Sequence, residues 1–228
     1  GGALYLAFGL CAALLEAQRS GKGQVIDCAM TDGAASLMTM FYGMRSAGLW
    51  NDRRDDNLLD GAAHFYDTYA CADGKWLAIG AIEPQFHALL IPALGMDGAE
   101  FPDRMNRANW PAYSARIAHA VRQKPRDEWA AVFEGTDACV SPVLSMSEAP
   151  EHPHNVARDT FLDVFGAVQP APAPRFSRTA GNVQGPPALP GQQSRQVMLD
   201  WGVDQQMVET LLKGGAIVQS RLDRPAPR

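Results

Sequence analysis

The sequence has 228 residues, 46% of them hydrophobic and 20% charged, with a formal net charge of −5. That length supports one or two domains with real cores, and the composition excludes a disordered or collagen-like chain. The weak acid excess argues against nucleic acid or an anionic membrane as the main partner, so any phosphate site has to be local.

The chain opens Gly1-Gly2 directly into residues that form helices well and are apolar nearly all round, from Ala3 to Gln18. Such a pattern predicts a helix buried on several faces, and we expect that something belongs upstream of it. Its apolar stretch, Leu4 to Leu15, is too short to span a bilayer and lacks a basic leader, which points to a soluble protein. Ser20-Gly21-Lys22-Gly23 is the stop signal, with the glycines as C-cap candidates. Gln24 to Ala29 reads as a short strand and Asp32 to Ala47 as a second, amphipathic helix. Helix, strand and helix of this kind belong to an α/β layer whose remaining strands must come from elsewhere.

From Gly48 to Ala62 the chain turns polar, and its charge run reads as a solvated linker. A hairpin follows: Phe65 to Tyr69 alternates, Asp73-Gly74 supplies the turn, and Lys75 to Gly80 returns. Pro84 opens a helix through Leu94, because proline is tolerated at the first helical position. Two more helices are expected near Pro111 to Gln123 and Pro125 to Glu134, then a strand over Cys139 to Leu144. Residues 169–190 hold six prolines, at 170, 172, 174, 186, 187 and 190, and predict an extended connector. A last helix spans Ser194 to Lys213, with Trp201, Val208, Leu211 and Leu212 available for packing. The tail, Arg221 to Arg228, is polar, proline-rich and expected to fray.

Standard chemical signatures are absent: there is no G-x-G-x-x-G after a strand, no phosphate-loop lysine motif and no G-x-S-x-G. The four cysteines, Cys11, Cys28, Cys71 and Cys139, lack C-x-x-C spacing. Three sit beside Ala or Val in apolar runs, as buried free thiols do, so a reducing, cytoplasmic setting fits better than disulfides or zinc. His152-Pro153-His154 reads as helix capping or surface polarity rather than a metal site, and His64, His87 and His119 stand alone. One corner is different. In Ala78 to Phe86 a strand runs through Gly80 into a helix start, with Glu83 at the bend. The simple account is a helix cap that answers the dipole, worth about 0.3–1 kcal/mol. Such corners also carry catalytic groups, which keeps Glu83 as a candidate.

The runs Gly21-Lys22-Gly23-Gln24-Val25-Ile26-Asp27, Phe65-Tyr66-Asp67-Thr68-Tyr69 and Gly80-Ala81-Ile82-Glu83-Pro84-Gln85-Phe86 resemble the class III coenzyme A transferase superfamily. They are most similar to its α-methylacyl-CoA racemase branch. His152 to Arg158 and Pro172 to Thr179 are similar to later motifs of that family. The resemblance runs in order from Gly1 to about Trp201.

It implies an α/β protein: part of a Rossmann-like large domain plus a small α+β domain, from subunits that interlock as a homodimer. On this reading residues 1–47 are the C-terminal part of the large CoA-binding domain, and 48–62 are a linker. Residues 63–150 are the small domain, 151–193 a proline-rich return linker, and 194–228 the C-terminal helix and tail. The implied activity is epimerisation of 2-methyl-branched acyl-CoA thioesters. Coenzyme A enters as part of the substrate, with no metal or redox cofactor. Glu83 matches the carboxylate that pairs with the catalytic histidine across the dimer, and is the candidate catalytic residue here. Gly1 and Gly2 look like the end of a glycine run at the CoA site. The catalytic histidine and aspartate would then lie upstream, leaving the isolated chain inactive and its first helix poorly folded. Transferases of the superfamily use the upstream aspartate as nucleophile and need no His–Glu pair, so Glu83 favours the racemase. CoA transfer between carboxylic acids and a non-catalytic truncated remnant are the alternatives.

Overall fold

A computed structural model describes residues 1–220, so the tail from Arg221 on lies outside the described residues. The chain forms two compact units, Gly1–Val143 and one that begins at Leu144.

In the first unit α1 (Gly2–Ser20) ends where Gly21 turns left-handed at φ 73°, its N–H bonded to Ala17 O at 2.9 Å. Glycine takes that conformation without a Cβ penalty, which is why the helix stops there. No residue of α1 is buried, and Leu4 and Phe8 are 75% and 74% exposed. The all-round apolar pattern is therefore present, but the expected burial is not found within this chain. Residues 24–29 form no strand, because no other segment among the described residues pairs with them; their backbone is irregular.

The second predicted helix is in fact two, α2 (Met30–Leu37) and α3 (Thr39–Ser46). Met38 leaves helical geometry between them, and the Thr39 hydroxyl donates to Ser36 O at 2.6 Å, which ties the bend locally. α2 lies on α1 through Gly33, whose missing Cβ would stand 3.2 Å from the Tyr5 ring, and through Tyr5 Oη donating to Ser36 Oγ at 2.8 Å.

The polar stretch after α3 is more ordered than a solvated linker. Asn57 is buried and bonded on every side: its amide nitrogen donates to Arg53 O and Asp60 Oδ2, and its carbonyl oxygen accepts from Asn51 N–H. A buried amide persists only when its donors and acceptors are met, and this loop is folded around one.

The hairpin forms as expected, β1 (Tyr66–Ala70) with β2 (Trp76–Gly80), with Gly74 at φ 78° in the turn. β3 (Val140–Pro142) pairs antiparallel on the other side of β2, giving sheet order β1-β2-β3. Register places Tyr66 opposite Gly80 and Tyr69 opposite Leu77. Alternation then divides the faces: Tyr69, Leu77 and Ile79 point into the core, while Tyr66, Thr68, Ala78 and Ser141 share the other face. The inner face packs on α4 (Pro84–Ala93), α5 (Trp110–Val121) and α6 (Arg126–Phe133) through Leu90, Ile91, Trp110, Ile117, Trp129 and Phe133. Leu77 is fully buried at the centre of this layer. Leu77→Ala should cost about 2–5 kcal/mol, read as a lowered urea midpoint with unchanged slope, because the sheet backbone limits collapse of the cavity.

In the second unit α7 (Pro153–Ala157) begins at His152, whose Nδ1 accepts from His154 N–H at 3.3 Å, the capping role expected of that pair. A second hairpin, β4 (Phe161–Val164) and β5 (Ala167–Pro170), was not legible in the sequence. Its turn is Phe165-Gly166, both at positive φ (54° and 81°), a geometry normally announced by Asn-Gly. From Ala171 to Leu189 the chain is extended or bent without regular structure, as the prolines predict. The final helix is interrupted: α8 (Ser194–Asp200) and α9 (Gln205–Lys213) are separated at Gly202, φ 82°. Asp204 caps α9 by accepting from Met207 N–H, and Val208 is fully buried, but Trp201, expected to pack, is 85% exposed.

Candidate active site

Glu83 stands where β2 hands over to α4. The Gly80 N–H donates to Cys139 O at 2.8 Å, holding the end of β2 against the entry to β3, and Ile82 N–H turns back onto Gly80 O at 2.9 Å. Glu83 is extended (φ −73°, ψ 147°) and precedes Pro84, which enters the helix at no cost in hydrogen bonds. Its carbonyl accepts the first helical bond, from His87 N–H at 3.1 Å. Its carboxylate caps nothing: no side-chain bond to the first turn forms, and the side chain is exposed. The Glu83 side chain makes no capping hydrogen bond, so its place at the N-terminus of α4 is what remains of the simple account.

Beside this corner the outer face of the sheet carries a groove of about 580 Å³, lined by Leu59, Gly61, Tyr66, Thr68, Gly80 and Cys139 among others. Cys139, exposed at φ 53°, lies within the electrostatic reach of Glu83; burial, then Asp137 and Glu83, push its thiol up from the usual range. Cys139 lines the groove beside the corner.

Behind Glu83 lies a buried cluster that the sequence did not reveal. His64 and His87, expected to stand alone, meet with Nε2 atoms 3.2 Å apart. His64 is wholly buried among Phe65, Phe101 and Tyr113. Burial, then the charges of His87 and Arg104, lower His64 to about 3; burial, then Arg104, lower His87 to about 4. Both rings are thus neutral at physiological pH, one donating and one accepting across the contact. Among the described residues His64 Nδ1 has no hydrogen-bond partner. A bare lone pair there is cheaper than a buried unpaired N–H, so His64 is assigned as the Nε2–H donor. No spacing rule finds such a pair, since 23 residues and a whole hairpin separate the two rings. Of the other histidines, His119 is exposed on α5.

Gly1 and Gly2 are the N-cap and first residue of α1. A Cβ on Gly2 would meet Met30 at 3.2 Å, so its smallness admits the start of α2. No hydrogen bond among the described residues links either glycine to Glu83. Among the cysteines only Cys71 is buried; Cys11 is exposed because α1 is uncovered, and all four are free.

The sequence of this corner and the fold around it can be compared with known proteins. A family model for CoA-transferase family III matches residues 1–194. The chain belongs to CoA-transferase family III. Within that family it is 42% identical over 217 residues to α-methylacyl-CoA racemase from Mus musculus, covering 91% of this chain and 55% of the relative. It is 38% identical over 220 residues to the Homo sapiens racemase, covering 92% of this chain and 56% of the relative. The chain thus spans about half the length of the curated relatives it matches. Among solved structures, a CAIB/BAIF family protein from Brucella suis superposes with a TM-score of 0.68 at 21% identity, over 89% of this chain and 54% of that one. At that identity the likeness establishes the fold, mixed helix and sheet, and nothing finer. No helix among the described residues is long and apolar enough to cross a membrane.

Proposed function

We propose that this chain carries the Glu83 side of a racemase active site that inverts 2-methyl-branched acyl-CoA thioesters. The observation that carries the reading is the uncapped, exposed Glu83 carboxylate at a rigid strand–helix corner beside a groove. It sits in the Ile82-Glu83-Pro84-Gln85-Phe86 motif of a chain whose more similar curated relatives are racemases.

Inversion next to a thioester removes a proton from one face of the α-carbon and returns one to the other. Two groups of near-neutral pKa must therefore flank the carbon, and donors must stabilise the enolate oxygen. Redox state is unchanged from substrate to product, so the reaction consumes no electron carrier. In this reading an imidazole and a second carboxylate come from the part of the relatives' length that the chain does not span. Glu83 acts through that imidazole: a carboxylate accepting from one ring nitrogen fixes the tautomer and raises the basicity of the other. The partner surface would be a Rossmann-like large domain of a second, interlocked subunit, with Gly1 and Gly2 near the CoA site. The exposed apolar residues of α1 are consistent with a covered surface of that kind. Free cysteines support a cytoplasmic setting.

Deuterium wash-in at the α-carbon of a 2-methylacyl-CoA in heavy water, without an acyl acceptor, is the expected result for the complete racemase polypeptide. The 228-residue chain alone should give none. Acyl-enzyme trapped by hydroxylamine in place of exchange would assign the protein to CoA transfer instead. Exchange by the isolated chain at the full rate would remove the need for groups supplied from outside it.

A further inference from the structure

The groove on the outer face of the sheet has a chemistry of its own. Its floor is built from small side chains: Ala78 lies between Thr68 and Ser141 across the strands, and Gly80 is bare beside the Tyr66 ring. A Cβ on Gly80 would stand 4.0 Å from Tyr66 Cε2 and 3.7 Å from Cys139 O, so the space there is owed to the missing side chain. At about 580 Å³ the groove has the size of sites that take small organic molecules. Across β2 from Cys139, along β1, its wall is acidic. Gly61 turns there at φ 99°, and a Cβ on it would meet Asp67 Oδ1 at 3.4 Å and Asp55 Oδ1 at 3.7 Å, so two carboxylates converge. Asp60 beside them is tied by Asn57, whose backbone N–H and amide nitrogen donate to its two oxygens at 2.9 and 2.7 Å. Burial works against the charge of Asp60, but these bonds, with those from Asp56 and Ala62, outweigh it and hold the carboxyl below its ordinary range. Asp67 accepts from Thr68 N–H at 2.7 Å. Burial raises its pKa, the Thr68 bond opposes this, and the charge of Asp55 adds to the rise, as like charges held together do. Among the described residues the lining includes no Lys, Arg or His to offset these acids.

We propose that this groove receives the acyl chain of the thioester, and that Asp60 and Asp67 on its β1 side select chains without a terminal carboxylate. The nucleotide end of coenzyme A carries several phosphate charges, and a wall of carboxylates with no cation repels it. An alkyl chain brings no charge and gains by covering Leu59, the Tyr66 ring and Ala78. Gly80 belongs both to the groove and to the corner that leads to Glu83, so a chain laid in the groove starts beside that corner. A chain of equal length ending in a carboxylate would set a further negative charge against Asp67, which Asp55 already crowds. The assignment rests on the racemase reading for the place of the reacting carbon, and deepens it by naming the class of acyl chain.

The test uses the complete racemase polypeptide and three matched thioesters: a 2-methylacyl-CoA with a plain alkyl chain, and two of equal length that end in a carboxylate or in the corresponding carboxamide. Each is followed by α-proton exchange and by calorimetric binding, beside free coenzyme A. Wild type should prefer the carboxamide to the carboxylate by about 10–100-fold in kcat/KM, and the preference should shrink at high salt. Asp67→Asn, whose side-chain oxygen can still accept from Thr68 N–H, should cut that preference about 10-fold by admitting the carboxylate. Ala78→Leu, which fills the floor, should weaken binding of the alkyl thioester about 10-fold and of free coenzyme A less than about twofold. Equal treatment of carboxylate and carboxamide by wild type would overturn the inference, as would a preference that Asp67→Asn leaves intact. An Ala78→Leu protein that binds the alkyl thioester as well as wild type does, or loses free coenzyme A to the same degree, would overturn it too. Exchange absent with every thioester would overturn the racemase reading, and the calorimetric affinities for the same compounds would then decide the groove by themselves. Exchange present without the expected selectivity would overturn the groove assignment alone.

Discussion

Glu83→Gln should slow α-proton exchange by about 10²-fold or more, the range general acid–base groups contribute, while the melting temperature stays where it was. Both halves follow from the corner. The carboxylate makes no hydrogen bond to the first turn of α4, and Glu83 holds its place through its backbone carbonyl, which the amide keeps. Little folding free energy is therefore lost. Catalysis loses more, since an amide presents a neutral oxygen to the imidazole and neither fixes its tautomer as firmly nor raises its basicity. On the proposed reading the loss should fall on kcat with KM little changed, because there Glu83 acts on the base and not on the bound thioester. Deuterium exchange measured at saturating 2-methylacyl-CoA, beside a thermal melt of the same protein, decides it. An unaltered exchange rate would remove Glu83 from the chemistry, and a collapsed melt would return it to a structural role.

Acid should unfold the first unit through the His64–His87 pair. Above pH 6.5 both imidazoles are neutral whether the chain is folded or not, so they add no pH dependence there. Below it the unfolded rings take up protons, while in the folded state His87 stays neutral to about 4 and His64 to about 3. The unfolded state binds the extra protons, so stability falls as pH drops from 6.5 toward 4, and the trend flattens only near 3. Two such groups give at most about 2.7 kcal/mol per pH unit, a large fraction of a domain's total of roughly 5–15 kcal/mol. Urea titrations followed by Trp110 and Trp129 fluorescence between pH 7 and pH 4 should show a midpoint that falls steeply. In His87→Gln, which cannot take the proton, about half of that slope should vanish. A slope indifferent to that substitution would mean that carboxylates elsewhere carry the acid transition.

Acidification also bears on function. Charging either ring places a second cation near Arg104, among the rings of Phe65, Phe101 and Tyr113. On the proposed reading, activity lost at low pH should include a part from unfolding of the packing next to Glu83.

Much of this protein was legible from local rules. Asp73-Gly74 announces the first hairpin, Pro84 the start of α4, and Gly21 the end of α1, because each depends on backbone preferences carried by one or two residues. Where the chemistry of a turn departs from its usual residues, as at Phe165-Gly166, the same rules are silent. They also overreach when pairing is required: the β-rich residues 24–29 find no neighbouring strand and stay irregular. The motif around Glu83 was likewise readable, since sequence places it at a strand–helix corner.

Sequence alone determined the family, the small sheet unit and the candidate carboxylate, all of which follow from contiguous residues. Tertiary structure alone decided that this carboxylate is free of its helix, that a groove adjoins it, and that His64, His87 and Arg104 gather behind it. Those facts depend on which side chains a folded sheet and three helices bring within a few ångströms. Desolvation, which keeps both imidazoles neutral, exists only once the core has closed.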